Sequence, residues 1–439
     1  MITQESFSKI FPKSFVKKLK ESVIPHEQEI ERGEIISSLY EDLISYKYHP
    51  WTPRDYIIIN KANYVSRITP TFQPRDYFLY YFCCKILEDE IAENRAEGTY
   101  GGWRLGNKIR LREEYDELEI VESAPSNSFN PYLWRENWQD FQNKAYAANQ
   151  TGEHKCIVKF DIANFYDNIN IALLAKKLYL ASPRNKVLYI DLLIHFLNNW
   201  NKKFEGYSKK TVGLPQDEIS DCSRLLANFY LQDYDLFMKG LCDREGARYL
   251  RYADDQLVYA KNLQTARTIL FEASKYLSKI GLNLNTSKVE FFENGENFNQ
   301  YWAFDLFELL GDAHNTENIN KGLELFLKWK NRGESFKENS VLKRILNLDF
   351  KRFRPDLKFE VLAYLLNKDF MATLPSWALS KLYKQLHEQD RLSMLGLIDE
   401  LVEDYHFNSF HYNVIQFYKK NKISFNRERI DNKLKKIKV

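Results

Sequence analysis

Apolar residues recur at two different spacings along this chain, and the spacing changes mark its predicted elements. In "SFVKKLKESVI" and "IISSLYEDLISY" they recur at helical spacing, which predicts mostly helical structure over residues 1–50. "YIIIN" (56–60) is a short β-rich run. The apolar stretch "YFLYYFCCKILEDEIAENRA" predicts a helix with one broad apolar face, with Asp76 as its N-cap.

Two segments in the middle of the chain predict strands that end in carboxylates. "KCIVKFDIANFYDNI" (155–169) begins as a buried strand, because its short apolar run ends at Asp161. "RYLRYADDQLVYA" (248–260) sets Asp254 and Asp255 between two β-rich runs, which predicts a hairpin with both carboxylates at its tip. Between these segments, residues 213–238 predict a Pro-containing turn followed by an amphipathic helix.

The chain after about residue 313 predicts only helices joined by short polar segments, with a boundary near "NTENIN" (315–320). Residues 313–439 contain 24 Lys and Arg against 16 Asp and Glu. This basic balance favours an anionic partner, and a solvated helical domain explains it almost equally well.

Composition narrows the class of protein. At 439 residues and 44% apolar content, two to three domains with substantial cores are expected, and an aromatic content of 15% argues against disorder. We expect no membrane partner, because no apolar run could span a bilayer and the first residues lack a signal-peptide core. The five cysteines form no CxxC pair, which predicts reduced thiols in a cytoplasmic protein and argues against a zinc site.

The adjacent carboxylates at the predicted hairpin tip carry the candidate chemistry. Like charges this close repel each other, so the arrangement is costly unless a cation neutralises it. A plain surface turn is the alternative interpretation. Asp161, at the end of another strand, can complete an oxygen-ligand site, and phosphoryl transfer uses two divalent cations held in this way.

Taken in order, four motifs resemble the palm motifs of reverse transcriptases: "FDIANFYDNI", "GLPQDEIS…SRLLANFYLQDYD", "YADD" and "GLNLNTSKVEFF". The resemblance covers roughly residues 55–312 and is to the bacterial branch of retrons and group II introns, most of all to abortive-infection and other phage-defence enzymes. "YVSRITP" and "TYGGWRLG" resemble the finger motifs upstream. The resemblance implies an α+β right-hand polymerase with fingers, a ferredoxin-like antiparallel palm and an all-α C-terminal thumb.

The same resemblance implies domain boundaries. They are an N-terminal helical extension at 1–55, fingers at 56–154 with further elements near 170–212, a palm at 155–312 and a basic helical thumb at 313–439.

Roles for individual residues also follow from the resemblance. Asp161, Asp254, Asp255 and Lys288 match the catalytic set, and Lys288 is the lysine expected near the pyrophosphate leaving group. The metal ligands would be Asp161, Asp254, Asp255 and the carbonyl of Ile162, holding two Mg²⁺ ions, with Mn²⁺ as an alternative. The nucleotide-binding residues would be Lys61, Arg67, Tyr166 and Gln216, with the ring of Tyr166 excluding a 2′-hydroxyl.

The implied function is DNA synthesis from dNTPs on a noncoding RNA template in bacterial anti-phage defence, with a homo-oligomer left open. Template-independent or protein-primed synthesis at the same site is the close alternative, and a non-catalytic nucleic-acid-binding scaffold is an alternative of another class.

Two observations remain open at this stage. Asp217 stands where the family commonly has Gly after the Leu-Pro-Gln turn, which indicates unconventional handling of template or primer. Trp103, Trp134 and Trp138 are candidates for base stacking, although core packing is the favoured interpretation in a chain so rich in aromatic residues.

Overall fold

The computed structural model describes two compact units. The first comprises the chain up to Tyr56 together with Thr69–Gly295, and the second comprises Ile57–Ile68 together with Glu296–Lys438. The predicted extension, fingers, palm and thumb, with their boundaries, remain predictions. The residues described are 2–62, 64–112, 117–120, 129–202, 213–216, 218–219 and 221–438.

Helices make up most of the first unit, and they include those predicted within residues 1–50 and after the turn at 213–216. They are α1 Gln4–Lys9, α2 Lys13–Lys20, α3 Arg32–Ile44, α4 Pro74–Ile86, α5 Glu88–Ala92, α6 Leu133–Gln150, α7 Phe165–Asn168, α8 Ile171–Ala181, α9 Val187–Asn199, α10 Cys222–Glu245 and α11 Leu263–Lys279.

The strands confirm the three β-rich segments predicted from the sequence. They are β1 Asp55–Ala62, β2 Val65–Thr71, β3 Thr99–Tyr100, β4 Ile109–Arg112, β5 Glu117–Ile120, β6 Cys156–Phe160, β7 Arg248–Tyr252, β8 Asp255–Ala260 and β9 Glu290–Phe292.

A five-stranded sheet of order β3-β7-β8-β6-β9 forms the centre of the first unit. Strands β7, β8, β6 and β9 pair antiparallel, as predicted for the palm, whereas the two-residue edge strand β3 pairs parallel with β7. The α+β class is therefore confirmed, with a mixed sheet in place of a purely antiparallel one. The edge strand β3 is parallel because the segment before it runs beside Arg251 of β7, whose main-chain N–H donates to the carbonyl of Gly98 at 2.9 Å.

The short apolar run of β6 has a direct structural cause. Strand β6 lies between β8 and β9, and Ile157, Val158 and Phe160 are all buried. Helices α10 and α11 pack against this sheet through β7 and β8. A strand covered in this way carries few polar residues. Within β6 the charged residue is Lys159, whose ammonium group pairs with Glu290 of β9 at 3.3 Å, and Asp161 follows directly after the strand.

The second unit is helical from α12 onward, as the pattern after residue 313 predicts, and its core includes Leu323, Phe326, Val361 and Ile398. The outer part of β1 belongs to it, because Ile58 N–H donates to Asn408 Oδ1 at 2.7 Å. Its helices are α12 Gly295–Trp302, α13 Phe304–Leu309, α14 Thr316–Asn331, α15 Glu338–Leu346, α16 Pro355–Leu365, α17 Lys368–Met371, α18 Ser376–Gln385, α19 Glu388–Asp404, α20 Asn408–Asn421 and α21 Arg427–Lys436.

Helix α4 corrects one detail of the sequence analysis. The helix begins at Pro74 with Gln73 as its N-cap, so the prediction of Asp76 as the cap was wrong. Proline suits the first helical position because it needs no N–H partner there. The Asp76 carboxylate turns inward instead, accepting hydrogen bonds from Tyr48 Oη at 2.8 Å and Trp51 N at 3.1 Å.

Asp76 makes the stability of the fold depend on pH. Burial raises the pKa of this carboxyl to about 6, against the opposing effects of Tyr48, Trp51 and Arg75. Because the folded-state pKa lies above the usual 3.8, the stability contributed by this group is full below 3.8 and is lost as pH rises through about 6. The loss is about 3 kcal/mol at 1.36 kcal/mol per pKa unit.

We therefore expect Asp76→Asn to remove this loss. Urea denaturation over a pH series should show the parental protein losing free energy of unfolding relative to the variant between 3.8 and about 6. Above that window the two curves should run parallel, offset by the altered hydrogen bonds. A constant difference across the whole series would contradict the raised pKa.

Two further expectations can be compared with the structure. Within the described residues, no helix is both long and apolar enough to cross a membrane. All five cysteines are buried, and none of them forms a disulfide bond.

Candidate active site

The turn between β7 and β8 presents the two adjacent aspartates. Tyr252 and Asp255 are the last paired residues, so Ala253 and Asp254 form a two-residue loop. Ala253, at the first loop position, has φ of +53°, which lies in the left-handed region of backbone conformation. A residue with a Cβ costs about 1–2 kcal/mol in that conformation, so the surrounding structure must hold the turn.

A fully buried arginine, Arg251, holds the turn between β7 and β8 in place. Arg251 Nη1 donates to the carbonyl of Ala253 at 2.7 Å and to Asn228 Oδ1 at 2.8 Å. The same guanidinium makes a two-point ion pair with Asp235, from Nε to Oδ1 at 2.7 Å and from Nη2 to Oδ2 at 2.5 Å. Burial alone would lower the pKa of Arg251, but the charge of Asp235 raises it, so the guanidinium stays protonated.

The end of β6 brings the third aspartate to the same place. Phe160 pairs with Gln256, and this register continued by one residue sets Asp161 opposite Asp255. The main chain of Asp161 is fixed because its carbonyl accepts from Asn285 N at 2.8 Å. Its side chain is buried, and Lys288 Nζ, on the 3₁₀ turn Thr286–Lys288, donates to its carboxylate.

These charged groups act on one another. Burial first, and then the charges of Asp255 and Asp161, raise the pKa of Asp254 to about 6, while Lys288 opposes the rise. Burial works to lower the pKa of Lys288, but the hydrogen bond and charge of Asp161, with Asp254 and Asp255, raise it overall. The structure therefore brings together the four residues predicted as the catalytic set.

The donor set can be tested for its fit to a metal ion. Across the part of the chain that the structure describes, no three His, Cys, Asp or Glu side chains are arranged to hold an ion by themselves. Asp161 is engaged by Lys288 instead. The chemistry nonetheless fits a hard cation, because three carboxylates face one ammonium group and the raised pKa of Asp254 reports a repulsion that a cation would relieve. Ile162 is buried and bridges to Leu284, beside this cluster.

Tyr166 and Gln216 lie on two segments that meet. The carbonyl of Tyr166, in α7, accepts from Leu214 N at 2.9 Å, which ties the segment 213–216 to it. A Cβ at Gly213 would lie 2.1 Å from that carbonyl oxygen, so only glycine fits there. Burial raises the pKa of Tyr166 to about 12, while a hydrogen bond and the charge of Arg224 oppose the rise. Asp217 lies outside the described residues.

Comparison with known families decides what this site belongs to. Residues 112–327 match the family model described as reverse transcriptase (RNA-dependent DNA polymerase). The chain contains a reverse transcriptase domain. Enzymes of this kind are RNA-directed DNA polymerases, a class of nucleotidyltransferases, and the α+β fold with its mixed sheet is that of a right-hand polymerase.

Solved structures with some likeness to the chain include two telomerases and one CRISPR complex. Apo telomerase from Candida tropicalis, truncated of its C-terminal domain, is 13% identical with a TM-score of 0.34, over 59% of this chain and 55% of that one. Telomerase from Candida albicans in complex with a fragment of telomeric RNA is 12% identical with a TM-score of 0.35, over 91% and 67%. A partial Cas6-RT-Cas1–Cas2 complex is 16% identical with a TM-score of 0.29, over 62% and 41%.

Similarity at these TM-scores carries no argument about function. The chain spans little more than half of the first of these proteins and less than half of the third. No curated protein is significantly similar to it in sequence.

Two of the predicted nucleotide-binding residues belong to the second unit. Lys61 and Arg67 are exposed on β1 and β2, lie before the residues matched to the reverse transcriptase family, and belong to the second unit. Their contact with the triphosphate therefore remains a prediction.

No local sequence pattern indicated several residues that shape the reverse transcriptase site. Arg251 and Asp235 read as ordinary strand and helix residues until their pairing is seen. Arg224 forms an ion pair with Asp221 at 3.2 Å and is bonded to the Tyr166 hydroxyl. Its aliphatic stem would lie 2.4 Å from a Cβ at Gly102, which explains that glycine of "TYGGWRLG".

Proposed function

We propose that this protein is a Mg²⁺-dependent, RNA-directed DNA polymerase that adds dNTPs by two-metal phosphoryl transfer. The single observation that carries the proposal is the clustering of Asp161, Asp254, Asp255 and Lys288 inside a reverse transcriptase domain. Reverse transcriptase domains generally use divalent metals, and the excess of carboxylates here suits them.

In this proposal Asp161, Asp254, Asp255 and the Ile162 carbonyl hold the cations. When bound, the cations would neutralise these carboxylates and stabilise charge on the reacting phosphoryl oxygens. Lys288, kept protonated by its acidic neighbours, offers an ammonium group to Asp161 and to the pyrophosphate that leaves. Gln216 contacts the incoming nucleotide, and Lys61 and Arg67 contact its triphosphate.

We further propose a noncoding RNA template, a cytoplasmic location and a role in bacterial anti-phage defence. The resemblance of the palm motifs to phage-defence enzymes supports the biological role, and five buried cysteines outside disulfide bonds suit a reducing compartment. The experiment is a dNTP-incorporation assay on the purified protein, with sequencing of the product and of any RNA that copurifies.

The outcomes of that assay separate the alternatives. A DNA product complementary to a copurified RNA is the expected result. A product without complementarity to any RNA present would replace the proposal by template-independent or protein-primed synthesis. No incorporation with either Mg²⁺ or Mn²⁺ would favour the nucleic-acid-binding scaffold.

Tyr166 is expected to set the choice of sugar. Tyr166→Ala should open space beneath C2′ and raise the rNTP/dNTP ratio of kcat/KM by about tenfold or more, a range typical of steric pocket changes. Tyr166→Phe is the matched control, because it keeps the ring and loses only the hydroxyl bonded to Arg224. An unchanged ratio in an active Tyr166→Ala variant would remove Tyr166 from sugar selection.

A further inference from the structure

One face of the first unit combines exposed aromatic rings with basic side chains beside the candidate active site. A cavity of about 300 Å³ is lined by residues of α2 and of the segment that leads into α6. The lining residues are Ser14, Lys17, Lys18, Glu21, Phe129, Asn130, Pro131 and Tyr132. This cavity is not part of the cluster around Asp254.

The two sides of the cavity are fixed in place. Helix α2 buries Phe15, Val16 and Leu19, so Lys17 stays exposed and Lys18 half-buried on its other face. Ser14 Oγ donates to the carbonyl of Phe129 at 3.0 Å, which ties α2 to the opposite wall. Among the described residues Lys17 and Lys18 make no ion pair, although Glu21 also lines the cavity.

From the cavity, aromatic rings continue toward the aspartates. Tyr132 is 51% exposed and Trp134 is 39% exposed. The Arg135 guanidinium lies over both rings, 4.8 Å from the centroid of Tyr132 and 5.4 Å from that of Trp134. The carbonyl of Trp134 accepts from Tyr252 Oη at 3.2 Å, one residue before the turn that carries Asp254.

The three tryptophans considered for base stacking are therefore placed differently. Trp103 is buried, and Trp138 packs against the Tyr252 ring with centroids 4.8 Å apart, so both are packing residues. Trp134 alone of the three presents a substantial surface to solvent. We name the surface formed by Lys17, Lys18, Tyr132, Trp134 and Arg135 the aromatic–basic strip.

We propose that the aromatic–basic strip binds single-stranded RNA and leads the template strand to the turn of Asp254. Aromatic faces stack on unpaired bases regardless of sequence, and lysine and arginine side chains bind phosphates. The strip offers both kinds of group, because Arg135 lies over the two rings while Lys17 and Lys18 line the same cavity as Tyr132. The identification of the bound RNA as the template rests on the proposed function. The binding of single-stranded RNA does not.

The test measures affinity for an unstructured single-stranded RNA oligomer at several salt concentrations, using the full chain. Lys17→Gln/Lys18→Gln should flatten the slope of log K against log salt by about 1.4, at about 0.7 per phosphate contact on a single strand. Tyr132→Ala should lower affinity about tenfold with the slope unchanged, because it removes stacking and no charge.

Helix α11 offers matched controls in the same unit. Phe271 is 65% exposed, and Lys275 and Lys279 are exposed on the same helix. Phe271→Ala and Lys275→Gln/Lys279→Gln should leave affinity and slope at parental values. Strip variants that behave like these controls would overturn the proposal, and so would duplex RNA competing as well as single-stranded RNA, since paired bases cannot stack on the strip.

Failure of this inference can be told apart from failure of the proposed function. A parental protein that binds RNA through the strip but incorporates no dNTP would contradict the polymerase and leave the strip in place. A protein that copies RNA normally while the strip variants bind RNA like the parent would contradict the strip alone.

Discussion

Replacing Asp254 with Asn should abolish nucleotide incorporation while the protein stays folded. The substitution keeps the size of the side chain and removes one charge from a cluster that would hold divalent cations. If that charge contributes several kcal/mol to the reacting phosphoryl group, the rate falls by a factor of ~10³ or more at 1.36 kcal/mol per tenfold. The measurement is single-nucleotide extension of a primer on an RNA template.

The fold of the variant should not suffer. Asp254 is held against the repulsion of Asp255 and Asp161, so the Asn variant without metal should be at least as stable as the parent. Adding Mg²⁺ should raise the melting temperature of the parent more than that of the variant, because a ligand stabilises the state that binds it. This readout does not depend on activity.

Asp243→Asn is the matched control, because Asp243 is an exposed aspartate of the same unit, paired with Lys239 on α10. It should extend primers at the parental rate. A well-folded Asp254→Asn protein that also does so would show that the cluster does not carry the chemistry.

The buried pair beneath the turn should produce the largest loss of stability. Arg251→Met would leave Asp235 fully buried and without its partner, and breaking a buried ion pair from one side costs about 3–5 kcal/mol. The free energy of unfolding, from urea denaturation, should fall by that amount. The turn carbonyl of Ala253 would also lose its donor.

Removing both charges distinguishes the effect of an unpaired charge from the effect of side-chain shape. Arg251→Met/Asp235→Leu should recover much of the lost stability, since no unpaired charge remains. Lys239→Met is the control on α10, because its exposed ion pair with Asp243 should contribute less than about 1 kcal/mol. A double variant no more stable than Arg251→Met would show that shape, and not charge, makes the pair important.

Loss of the Arg251–Asp235 pair should also lower the activity of the double variant. Arg251 is a positioning residue here, because it contacts the main chain of the turn and no reacting atom. We therefore expect the recovered double variant to extend primers more slowly than the parent even where both are fully folded.

Local patterns in the sequence predicted much of the site. The short apolar run before Asp161 predicted the buried strand β6, because a strand covered by its neighbours is mostly apolar. The β-rich runs around Asp254 and Asp255 predicted the hairpin, because strand propensity and turn position are short-range properties. The helical spacing after residue 313 predicted the all-helical part for the same reason.

Contacts between distant segments could not be predicted from the sequence, because they form only when those segments pack together. Arg251 meets Asp235 only after α10 packs on β7, and Lys288 meets Asp161 only after β9 pairs with β6. The prediction of Asp76 as the N-cap of α4 was wrong because its carboxylate accepts hydrogen bonds from Tyr48 and Trp51, which lie in an earlier segment of the chain.

The sequence by itself therefore predicted Asp161 at a strand end, Asp254 and Asp255 at a hairpin tip, the strands β1, β6, β7 and β8, and the helical parts of the chain. Only the tertiary structure decided how those carboxylates are held, by a buried arginine under a left-handed Ala253 and by a lysine from another turn. It also decided that Trp134 faces solvent while Trp138 packs under Tyr252, although both lie on one helix. Propensity and periodicity are properties of neighbouring residues, whereas charge pairing and exposure depend on which distant segment packs against each side chain.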